Sequence, residues 1–457
     1  GAGMDVYVSE VPQREPGMEP FEVLTSESQE RMLAIVTPEH LEEVLAIAAR
    51  WEIRASVVGT VTGSGLLRVL EHPDGPVLAE MPAKALEEDA PLYDRPRAEP
   101  ADLAQRRSAD LSELAATSAT DAAVSLLAMV TATEWVSSQY DHQLFLNTVV
   151  PPGGDAAVLR LKHPTTGCDT GRALALTTDG NHRWCAIDPR IGSTMVVAEA
   201  VLNLACVGAK PLALVNCLNF GNPEHPEVMW QLAESVDGMG EACRGLGVPV
   251  VGGNVSLYNE SRGHDIDPTP VVGILGVIEH LQRPPPGVGL VNGDQVVVVG
   301  PSAGSLAGSR FAWDRGHRAG SLAPVDLEQH RRVCVAVREL VRGAVVNGVH
   351  DVAEGGLALA LAEMAVAGGV GVVAPDAGGV EDVFAEGSSR VVLSVAAASA
   401  TTILDRLAGL GVAARVVGTA GGDTVVIGRA IRLDLAELTA VSRTRLATAL
   451  GHGTTQQ

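Results

Sequence analysis

The chain has few aromatic and few basic side chains. Of its 457 residues only 3% are aromatic, whereas 46% are apolar and 50 are glycine, so we expect an α/β protein with a core of Ala, Val and Leu. With 33 Lys and Arg against 55 Asp and Glu, the formal charge is −22. Because nucleic-acid-binding proteins need a basic face for the phosphates, no nucleic-acid partner is expected. Binding of an anionic small molecule is still compatible with this net charge, because local hydrogen-bond donors decide such binding.

Cysteine pairs and long apolar runs are also scarce. The six cysteines form no C-x-x-C pair and have no regular spacing. This predicts reduced, buried thiols in the cytoplasm, and neither a disulfide framework nor a zinc site. The longest apolar run, 357–373, contains Glu363 and three glycines, so it predicts a buried helix that leads into a loop, with no membrane partner.

The stretch 216–261 is the one around which the rest of the chain is organised. Before it, the apolar run 212–215 ends at a cluster of Asn, Gly and Pro, and a second apolar run, 248–251, ends at Gly252-Gly253-Asn254. Residues 228–247 between them have apolar positions at helical spacing, which predicts strand, helix and strand with loops at both strand ends. Glycines there would let a phosphate approach backbone N–H groups. The alternative is a tight turn without a ligand.

A strand–helix–strand pattern occurs twice in the chain. The first copy starts with the apolar run 32–36, and the second starts with 391–395. The spacing from an arginine to a glycine is the same in both, from Arg31 to Gly59 and from Arg390 to Gly418. Identical spacing indicates that a whole domain was duplicated.

The two copies differ just before the arginine. Glu27-Ser28-Gln29 in the first copy corresponds to Glu386-Gly387-Ser388 in the second. Because the second copy lacks the amide that could bind a polar substrate, we interpret the first copy as functional and the second as structural. The alternative for residues 27–29 is an ordinary polar entry into a strand.

Several distinctive strings extend over nearly the whole chain. By these strings the sequence resembles the small-type subunits of phosphoribosylformylglycinamidine synthase, an enzyme of purine biosynthesis. They are Ser-Glu-Ser-Gln-Glu-Arg-Met at 26–32, Tyr-Asp-His-Gln at 140–143, Thr-Asp-Gly-Asn at 178–181, the stretch 216–261, and His-Asp-Val-Ala-Glu-Gly-Gly at 350–356.

The resemblance implies an α/β (α+β) fold like that of aminoimidazole ribonucleotide synthetase, with half of a central β-barrel. The expected domains are a first C-terminal-type domain truncated at its start (1–95), a linker (96–127), a second N-terminal-type barrel domain (128–290) and a second C-terminal-type domain (291–457). An acidic, Pro-rich composition at 81–110 independently favours a linker or a surface crossing there. The family comparison also implies that a large amino-terminal portion precedes Gly1.

The resemblance further implies a reaction and its site. In the family, ATP phosphorylates the formylglycinamide oxygen of the ribonucleotide and ammonia displaces phosphate, giving the amidine, ADP and phosphate. Carried over by position, Glu27, Ser28, Gln29 and Ser256 would contact the substrate. The nucleotide would contact Asn216 and Gly253, and magnesium would bind Asn254. No catalytic residue is expected in this chain, because the family's catalytic histidine lies in the preceding portion, so the isolated chain is expected to be inactive.

Position 216 departs from the family pattern. The usual residue there is Asp, and Asn216 brings no negative charge for a metal or a cation. The expected partners are a glutaminase subunit that supplies ammonia, a small accessory subunit, and the missing amino-terminal half. A glutaminase subunit is needed because none of the six cysteines lies in a nucleophile-elbow context.

Some single residues leave alternatives open. Asp179 could bind magnesium or act as a helix cap or turn residue. His142 could be a base, although a hydrogen-bonded structural role is favoured. His350, Asp351 and Glu354 could form an acid–base group, although a cap at the helix start near Gly355 is favoured.

Two other functions are compatible with the sequence. One is a different ATP-using synthetase of the same fold, which the duplication disfavours because one copy suffices there. The other is a non-catalytic scaffold half that keeps a structural nucleotide and binds a partner. A scaffold would not bind the ribonucleotide, so ligand binding separates it from the enzyme.

Overall fold

The computed structural model describes residues 2–13, 15–27, 31–86, 88–301, 304–429 and 431–452. Two compact units make up the chain, Gly1–Asp94 and Arg95–Gln457. Each is described by itself below.

The first unit contains a four-stranded sheet and two helices. Its strands are β1 (Gly3–Tyr7), β2 (Gly59–Thr62), β3 (Leu66–Leu70) and β4 (Val77–Pro82), in the order β2-β1-β3-β4. Strand β1 is antiparallel to β2 and parallel to β3. The helices are α1 (Pro20–Thr25) and α2 (Leu41–Arg50).

The strand predicted at 32–36 is not formed. Residues 31–37 have no regular secondary structure, and Met32, Leu33 and Ile35 are exposed. The copy of this segment, Val391–Val395, forms a strand by pairing with Gln295–Val299 and Gly348–Asp351. The four strands described in the first unit pair only with one another, and none of them corresponds to those two partners, so the described first unit lacks the strands beside which 32–36 would pair.

The second unit begins with four short helices. They are α3 (Leu103–Arg107), α4 (Ser112–Ala115), α5 (Ala119–Met129) and α6 (Glu134–Ser137). Part of the segment predicted as a linker, 96–127, is thus helical, and Leu103, Leu114 and Leu126 are buried. Leu126 packs into the same hydrophobic cluster as Leu361, so this segment belongs to the folded core.

A six-stranded sheet, here called the barrel sheet, follows. Its strands are β5 (Thr148–Val150), β6 (Ala157–Lys162), β7 (Asp169–Gly180), β8 (Lys210–Asn219), β9 (Val250–Ser256) and β12 (Thr269–Ile278), in the order β5-β6-β7-β12-β8-β9. A two-stranded hairpin, β10 (Glu260–Ser261) and β11 (His264–Asp265), precedes β12. The accompanying helices are α7 (His182–Ile187), α8 (Pro189–Cys206) and α9 (Pro226–Leu246).

The predicted strand–helix–strand order around 216–261 is confirmed, but the loops begin later than expected. Strand β8 continues through Asn219, and β9 continues through Gly252-Gly253-Asn254 to Ser256. Strand β8 pairs with β12 on one side and with β9 on the other as far as Asn219. These ladders satisfy the backbone groups of residues whose composition predicts loops.

The last sheet has seven strands. They are β13 (Gln295–Val299), β14 (Gly348–Asp351), β15 (Val372–Ala374), β16 (Val391–Val395), β17 (Ala414–Ala420), β18 (Thr424–Ile427) and β19 (Ile431–Asp434), in the order β14-β16-β13-β17-β15-β18-β19. The helices are α10 (Arg310–Asp314), α11 (Leu327–Arg342), α12 (Gly356–Gly368), α13 (Val380–Phe384), α14 (Ala400–Gly409) and α15 (Leu435–Ala449). The second copy of the repeat forms strand β16, helix α14 and strand β17, as predicted.

The predictions for the apolar run and the thiols can be compared with the structure. The run at 357–373 forms the buried helix α12 and then a turn, as predicted. Across the described residues no single helix is long and apolar enough to cross a membrane, although the bent pair Leu103–Ala115 and Ala119–Ser137 passes by length and composition. All six cysteines are free. Four are buried as predicted, but the prediction is wrong for Cys168, which is exposed, and for Cys217, which is only half-buried.

Candidate functional site

The two predicted nucleotide residues lie side by side on β8 and β9. Asn216 is the cross-strand partner of Gly253 in this parallel pair. A Cβ atom at Gly253 would lie 2.0 Å from Asn216 Oδ1, so only glycine leaves the amide in this position. The amide nitrogen of Asn216 has a weak contact, 3.5 Å to the sulfur of Met239. Asn216 can therefore turn toward a ligand at little cost.

The predicted metal and substrate residues follow on the same strand. Asn254 pairs with Cys217 and is exposed, and Ser256 pairs with Asn219 at the strand end and is half-buried. Strand β9 is the edge of the barrel sheet. The structure thus places Asn216, Gly253, Asn254 and Ser256 on one strand pair at the sheet edge. Because side chains alternate between the two faces of a strand, Asn216, which contacts Met239 of α9, lies on the face opposite Asn254 and Ser256.

The other predicted substrate residues are in the first unit. Glu27 is exposed beyond the end of α1, whereas Ser28 and Gln29 lie outside the described residues. Their proximity to Ser256 stays a prediction.

A second group of polar residues, here called the acidic cluster, was not predicted as a whole. Ligand atoms of Asp155, His350 and Asp351 all lie within 4.8 Å of one another. His350 Nδ1 is 2.6 Å from Asp155 Oδ1, and its Nε2 is 3.1 Å from Glu363 Oε2. Asp155 precedes β6, and the other two residues end β14. The barrel sheet and the last sheet therefore each supply part of the cluster.

Burial raises the pKa of one carboxyl of the acidic cluster and of two carboxyls near it. Burial, helped by the neighbouring Asp155, raises the pKa of Asp351 to about 8. Burial also raises the pKa of Asp179 to about 6, against the opposing hydrogen bond from Thr177. The pKa of Glu199 is raised well above its ordinary value by burial and by Asp179. Burial, more than the neighbouring negative charge, thus favours the protonated forms of Asp351, Asp179 and Glu199.

A divalent cation fits this donor set. Asn203 donates from Nδ2 to Asp179 Oδ1 at 2.9 Å, while its own buried Oδ1 has no hydrogen-bond partner among the described residues. An unpartnered oxygen beside several carboxylates is what a hard, oxygen-seeking ion such as magnesium would satisfy. The carboxylates of Asp155 and Asp351, which have oxygens within 4.8 Å of each other, are able to hold such an ion. His350 is not available as a ligand, because its two ring nitrogens contact Asp155 and Glu363 and because, against the effect of burial, the carboxylate of Asp155 raises its pKa well above the ordinary value.

The favoured cap at the start of α12 is wrong. The N-cap residue is Gly355, and no side chain caps this helix end. His350 and Asp351 belong to the acidic cluster instead, and Glu354 accepts from Arg310 at 2.6 Å. The glycine has a φ of +71°, which a side chain would disfavour.

Asp179 and His142 also have defined positions. Asp179 lies within β7 and accepts hydrogen bonds from Thr177 and Asn203. It caps no helix, because the cap of α7 is Asn181, which accepts from Trp184 N. His142 is exposed.

Glu386, the counterpart of Glu27 in the second copy, is fully engaged by the protein. Its buried carboxylate accepts from the backbone N–H groups of Arg310 (2.7 Å) and Gly355 (2.8 Å) and from Trp184 Nε1 (3.0 Å). The guanidinium of Arg183 lies 3.4 Å away. With its lone pairs occupied, this carboxylate has no capacity left for a ligand.

A cavity of about 220 Å³ lies near the acidic cluster. Gly180, the neighbour of Asp179, lines it together with His182, Arg183, Arg310 and Glu354. The arginines already pair with carboxylates, Arg183 with Glu386 and Arg310 with Glu354. The cavity is therefore polar but nearly balanced in charge.

Of the acidic cluster, the sequence singles out His350 and Asp351 but not Asp155, and it predicts no role for the nearby Glu199 and Asn203. A usable signal was present at Glu199 and Asn203, since a spacing of four on a helix puts both side chains on one face. Asp155 follows Gly153-Gly154 just before β6, a pattern typical of a loop that approaches a ligand. The convergence of β6 and β14 could not be predicted, because 350 and 155 are far apart in sequence.

Comparison with known proteins identifies the family. The model "AIR synthase related protein, N-terminal domain" matches residues 153–278. The model of the C-terminal domain of the same proteins matches residues 1–71 and 291–430. The chain belongs to the AIR synthase related family. The two regions matched by the C-terminal model agree with the duplication inferred from the repeat.

Curated relatives of this AIR synthase related chain are synthase subunits. It is 44% identical over 437 residues to phosphoribosylformylglycinamidine synthase subunit PurL of Moorella thermoacetica, and 44% identical over 452 residues to that of Thermomicrobium roseum. These matches cover 93% and 96% of the chain but 58% and 60% of the relatives' length. The predicted resemblance to this subunit family is confirmed.

Among solved structures, the chain is similar to Thermotoga maritima PurL complexed with ATP. The identity is 26% and the TM-score 0.61, over 92% of this chain and 60% of that one. The same protein has been solved complexed with FGAR and in a structure described as PurLQS. The expected fold class is confirmed by these matches and by the mixed α/β sheets.

Proposed function

We propose that this chain takes part in the ATP-dependent conversion of formylglycinamide ribonucleotide to formylglycinamidine ribonucleotide in purine biosynthesis. The observation that carries the proposal is the sheet edge at β8 and β9, which combines Asn216, Gly253, Asn254 and Ser256 in a chain 44% identical to PurL subunits. The T. maritima relative complexed with ATP and with FGAR supports both ligands. Because the chain spans 58–60% of the relatives' length, it contributes part of the site.

In this proposal the strand pair binds both the nucleotide and the ribonucleotide. Asn216 and the open backbone at Gly253 contact ATP, Asn254 binds magnesium, and Ser256 contacts the substrate. Glu27, Ser28 and Gln29 are the further substrate-binding residues that the family resemblance implies. The γ-phosphoryl group passes to the formylglycinamide oxygen, and ammonia then displaces phosphate. Magnesium, when bound, neutralises the phosphate charge that develops.

The acidic cluster supplies a second cation site in the same proposal. Its carboxylates, Asp155 and Asp351, bind a divalent ion. The proposed partners are a glutaminase subunit, which supplies ammonia, and a small accessory subunit. The T. maritima structure described as PurLQS supports these partners.

Calorimetry tests the proposal. The chain is titrated with ATP and then with formylglycinamide ribonucleotide, both in excess magnesium, and each should bind. A matched variant, Ser256→Ala, should lose affinity for the ribonucleotide by about tenfold while ATP binding is kept. Absence of ribonucleotide binding by the unmodified chain would contradict the proposal.

A scaffold half that holds a structural nucleotide is the second candidate. One observation favours it: in the second copy, Glu386 is saturated by protein donors next to a cation-binding cluster. Such a half would bind ATP with magnesium and ignore the ribonucleotide. The same titration therefore separates the two functions.

A further inference from the structure

The end of the β8–β9 pair is held by a side chain from the following turn. Strand β8 ends at Asn219 and β9 at Ser256, and these two residues are cross-strand partners. One backbone hydrogen bond continues the pairing, from Phe220 N to Ser256 O at 3.0 Å. Beyond this point the chain turns, and two further backbone hydrogen bonds join the segments, from Tyr258 N to Gly221 O and from Asn259 N to Phe220 O.

Asn259 bridges both strand ends. Its Nδ2 donates to Phe220 O at 3.0 Å and to Ser256 O at 2.9 Å. Its backbone N–H also donates to Phe220 O, at 3.2 Å. A planar amide that uses both hydrogens on two different segments fixes their separation.

The same side chain orients the Ser256 hydroxyl. Ser256 Oγ donates to Asn259 Oδ1 at 3.3 Å, and Nδ2 is 3.2 Å from the same Oγ. The hydroxyl hydrogen is therefore directed inward, which leaves lone pairs of Oγ for a ligand donor. A free serine hydroxyl would rotate among its staggered positions.

The turn that carries Asn259 is itself strained and anchored. Tyr258 has a φ of +60°, which is uncommon for a residue with a side chain. It is held there by its N–H, which donates to Gly221 O at 2.8 Å. Strain that the surroundings maintain is typical of a functional segment.

From these contacts we infer that Asn259 is a positioning residue for ribonucleotide binding, acting through Ser256. This inference rests on the proposed function, since it assigns the ribonucleotide to Ser256. Asn259 itself touches no substrate. It sets the orientation of the Ser256 hydroxyl and the spacing of the two strand ends.

A double-mutant cycle tests the inference. Ribonucleotide and ATP dissociation constants are measured by calorimetry, with magnesium, for the unmodified chain, Asn259→Ala, Ser256→Ala and the double variant. Asn259→Ala should weaken ribonucleotide binding by about tenfold. The double variant should be no weaker than Ser256→Ala, because the first residue acts through the second. ATP affinity should change by less than about threefold.

Two further variants separate positioning from general stability. Asn259→Asp keeps an acceptor for the serine hydroxyl, so its loss should be smaller than that of Asn259→Ala, and it replaces the alanine variant if that one does not fold. Asn347→Ala removes another internal amide, which donates to Asp294 in the last sheet. It should leave the ribonucleotide affinity unchanged.

The outcomes are distinct. Ribonucleotide binding that is unaffected by Asn259→Ala, or losses that multiply in the double variant, would overturn the inference alone. An unmodified chain that binds no ribonucleotide would overturn the proposed function and the inference with it.

Discussion

At the scale of single residues, position 216 shows how one atom changes a site. Asn216 faces the bare Cα of Gly253 and has only a weak sulfur contact of its own. Its amide can donate and accept, whereas the aspartate usual in the subunit family only accepts, with a full charge. Asparagine in place of the usual aspartate therefore changes the strength of the ligand contact more than the stability of the fold.

Asn216→Asp should bind ATP more tightly. A carboxylate accepting from ribose hydroxyls forms charge-assisted hydrogen bonds, so we expect the dissociation constant to fall by roughly three- to tenfold. Calorimetry with magnesium measures this, and thermal unfolding should show little change. Weaker binding by the aspartate variant would mean that position 216 donates to the nucleotide.

His330 makes the protein sensitive to acid. This fully buried ring contacts Ser389 Oγ at 2.7 Å and Cys334 Sγ at 3.3 Å, and burial lowers its pKa to about 4. The unfolded chain, with an ordinary histidine pKa near 6.5, takes up the proton first. This part of the stability is therefore present above pH 6.5 and is lost as the pH falls toward 4.

The prediction compares His330→Gln with the unmodified chain. Between pH 7.5 and 5, the free energy of unfolding of the unmodified chain should fall by about 2 kcal/mol more than that of the variant. Urea unfolding at both values measures the difference, in which contributions of the other titrating groups cancel. Equal pH dependence in the two proteins would show that His330 does not titrate in this range.

Asp351 should make stability depend on magnesium. Burial raises the pKa of Asp351 to about 8. Without a cation, the contribution of Asp351 to the stability of the fold therefore falls as the pH rises toward 8. In EDTA at pH 8.5, Asp351→Asn should raise the Tm by roughly 3 °C or more. In excess magnesium the order should reverse, because the ion binds the folded state of the unmodified chain better. If magnesium does not change the Tm, no cation binds at the acidic cluster.

At the scale of elements, the crossing of α8 and α9 depends on one glycine. A Cβ atom at Gly238 would lie 2.1 Å from the carbonyl oxygen of Arg190, which is backbone and cannot move aside. Gly240, on the same helix, would meet only the flexible end of Arg244, at 3.1 Å. The two positions therefore respond oppositely to the same substitution.

Gly238→Ala should destabilise the protein by about 2–3 kcal/mol, because the helices must separate. Its matched control, Gly240→Ala, should be neutral or stabilising by up to about 1 kcal/mol, since alanine favours a helix. Chemical unfolding of both variants gives the comparison. Similar losses at both positions would show that helix propensity, and not the crossing, sets the effect.

The elements also show which features the sequence could predict. The helix at 226–246 follows from its helical spacing of apolar residues, and the buried helix α12 follows from its long apolar run, because both signals are local. The strand at 32–36 does not form, although its copy at 391–395 does, because a strand depends on its pairing partners: β16 lies between β13 and β14, and the described first unit has no counterpart of these two strands. Asn216 and Gly253 have loop composition but lie in strands for the same reason.

The residues of the candidate site also fall into those that the sequence predicts and those that it does not. Asn216, Gly253, Asn254 and Ser256 were predicted from the family resemblance, and the structure brings them to one sheet edge. Their ligands remain proposals. The sequence indicates His350 and Asp351 but not their proximity to Asp155, because Asp155 lies in the loop before β6 and the other two end β14. Hydrogen-bond geometry around Asn259 had no signal in composition or spacing.

At the scale of the whole molecule, the barrel sheet has one face that is apolar and uncovered within its unit. Val158 and Ala175 point into the core, so their neighbours Leu159 and Leu176 lie on the opposite face, where they are 47% and 49% exposed. Val215, also 47% exposed, continues this face on β8. Contiguous exposed apolar surface of this kind marks an interaction site.

The isolated chain should therefore self-associate through this face. Sedimentation velocity at about 0.15 M salt should show concentration-dependent dimers, and more salt should strengthen them by screening the charge of −22. Leu176→Glu should yield monomers with an unchanged Tm, because the side chain is already half exposed. Leu410→Glu, at a similarly exposed leucine outside the sheet (46%), should leave the association intact. If the unmodified chain is monomeric at high concentration and no other chain co-purifies, this apolar face is not an association surface.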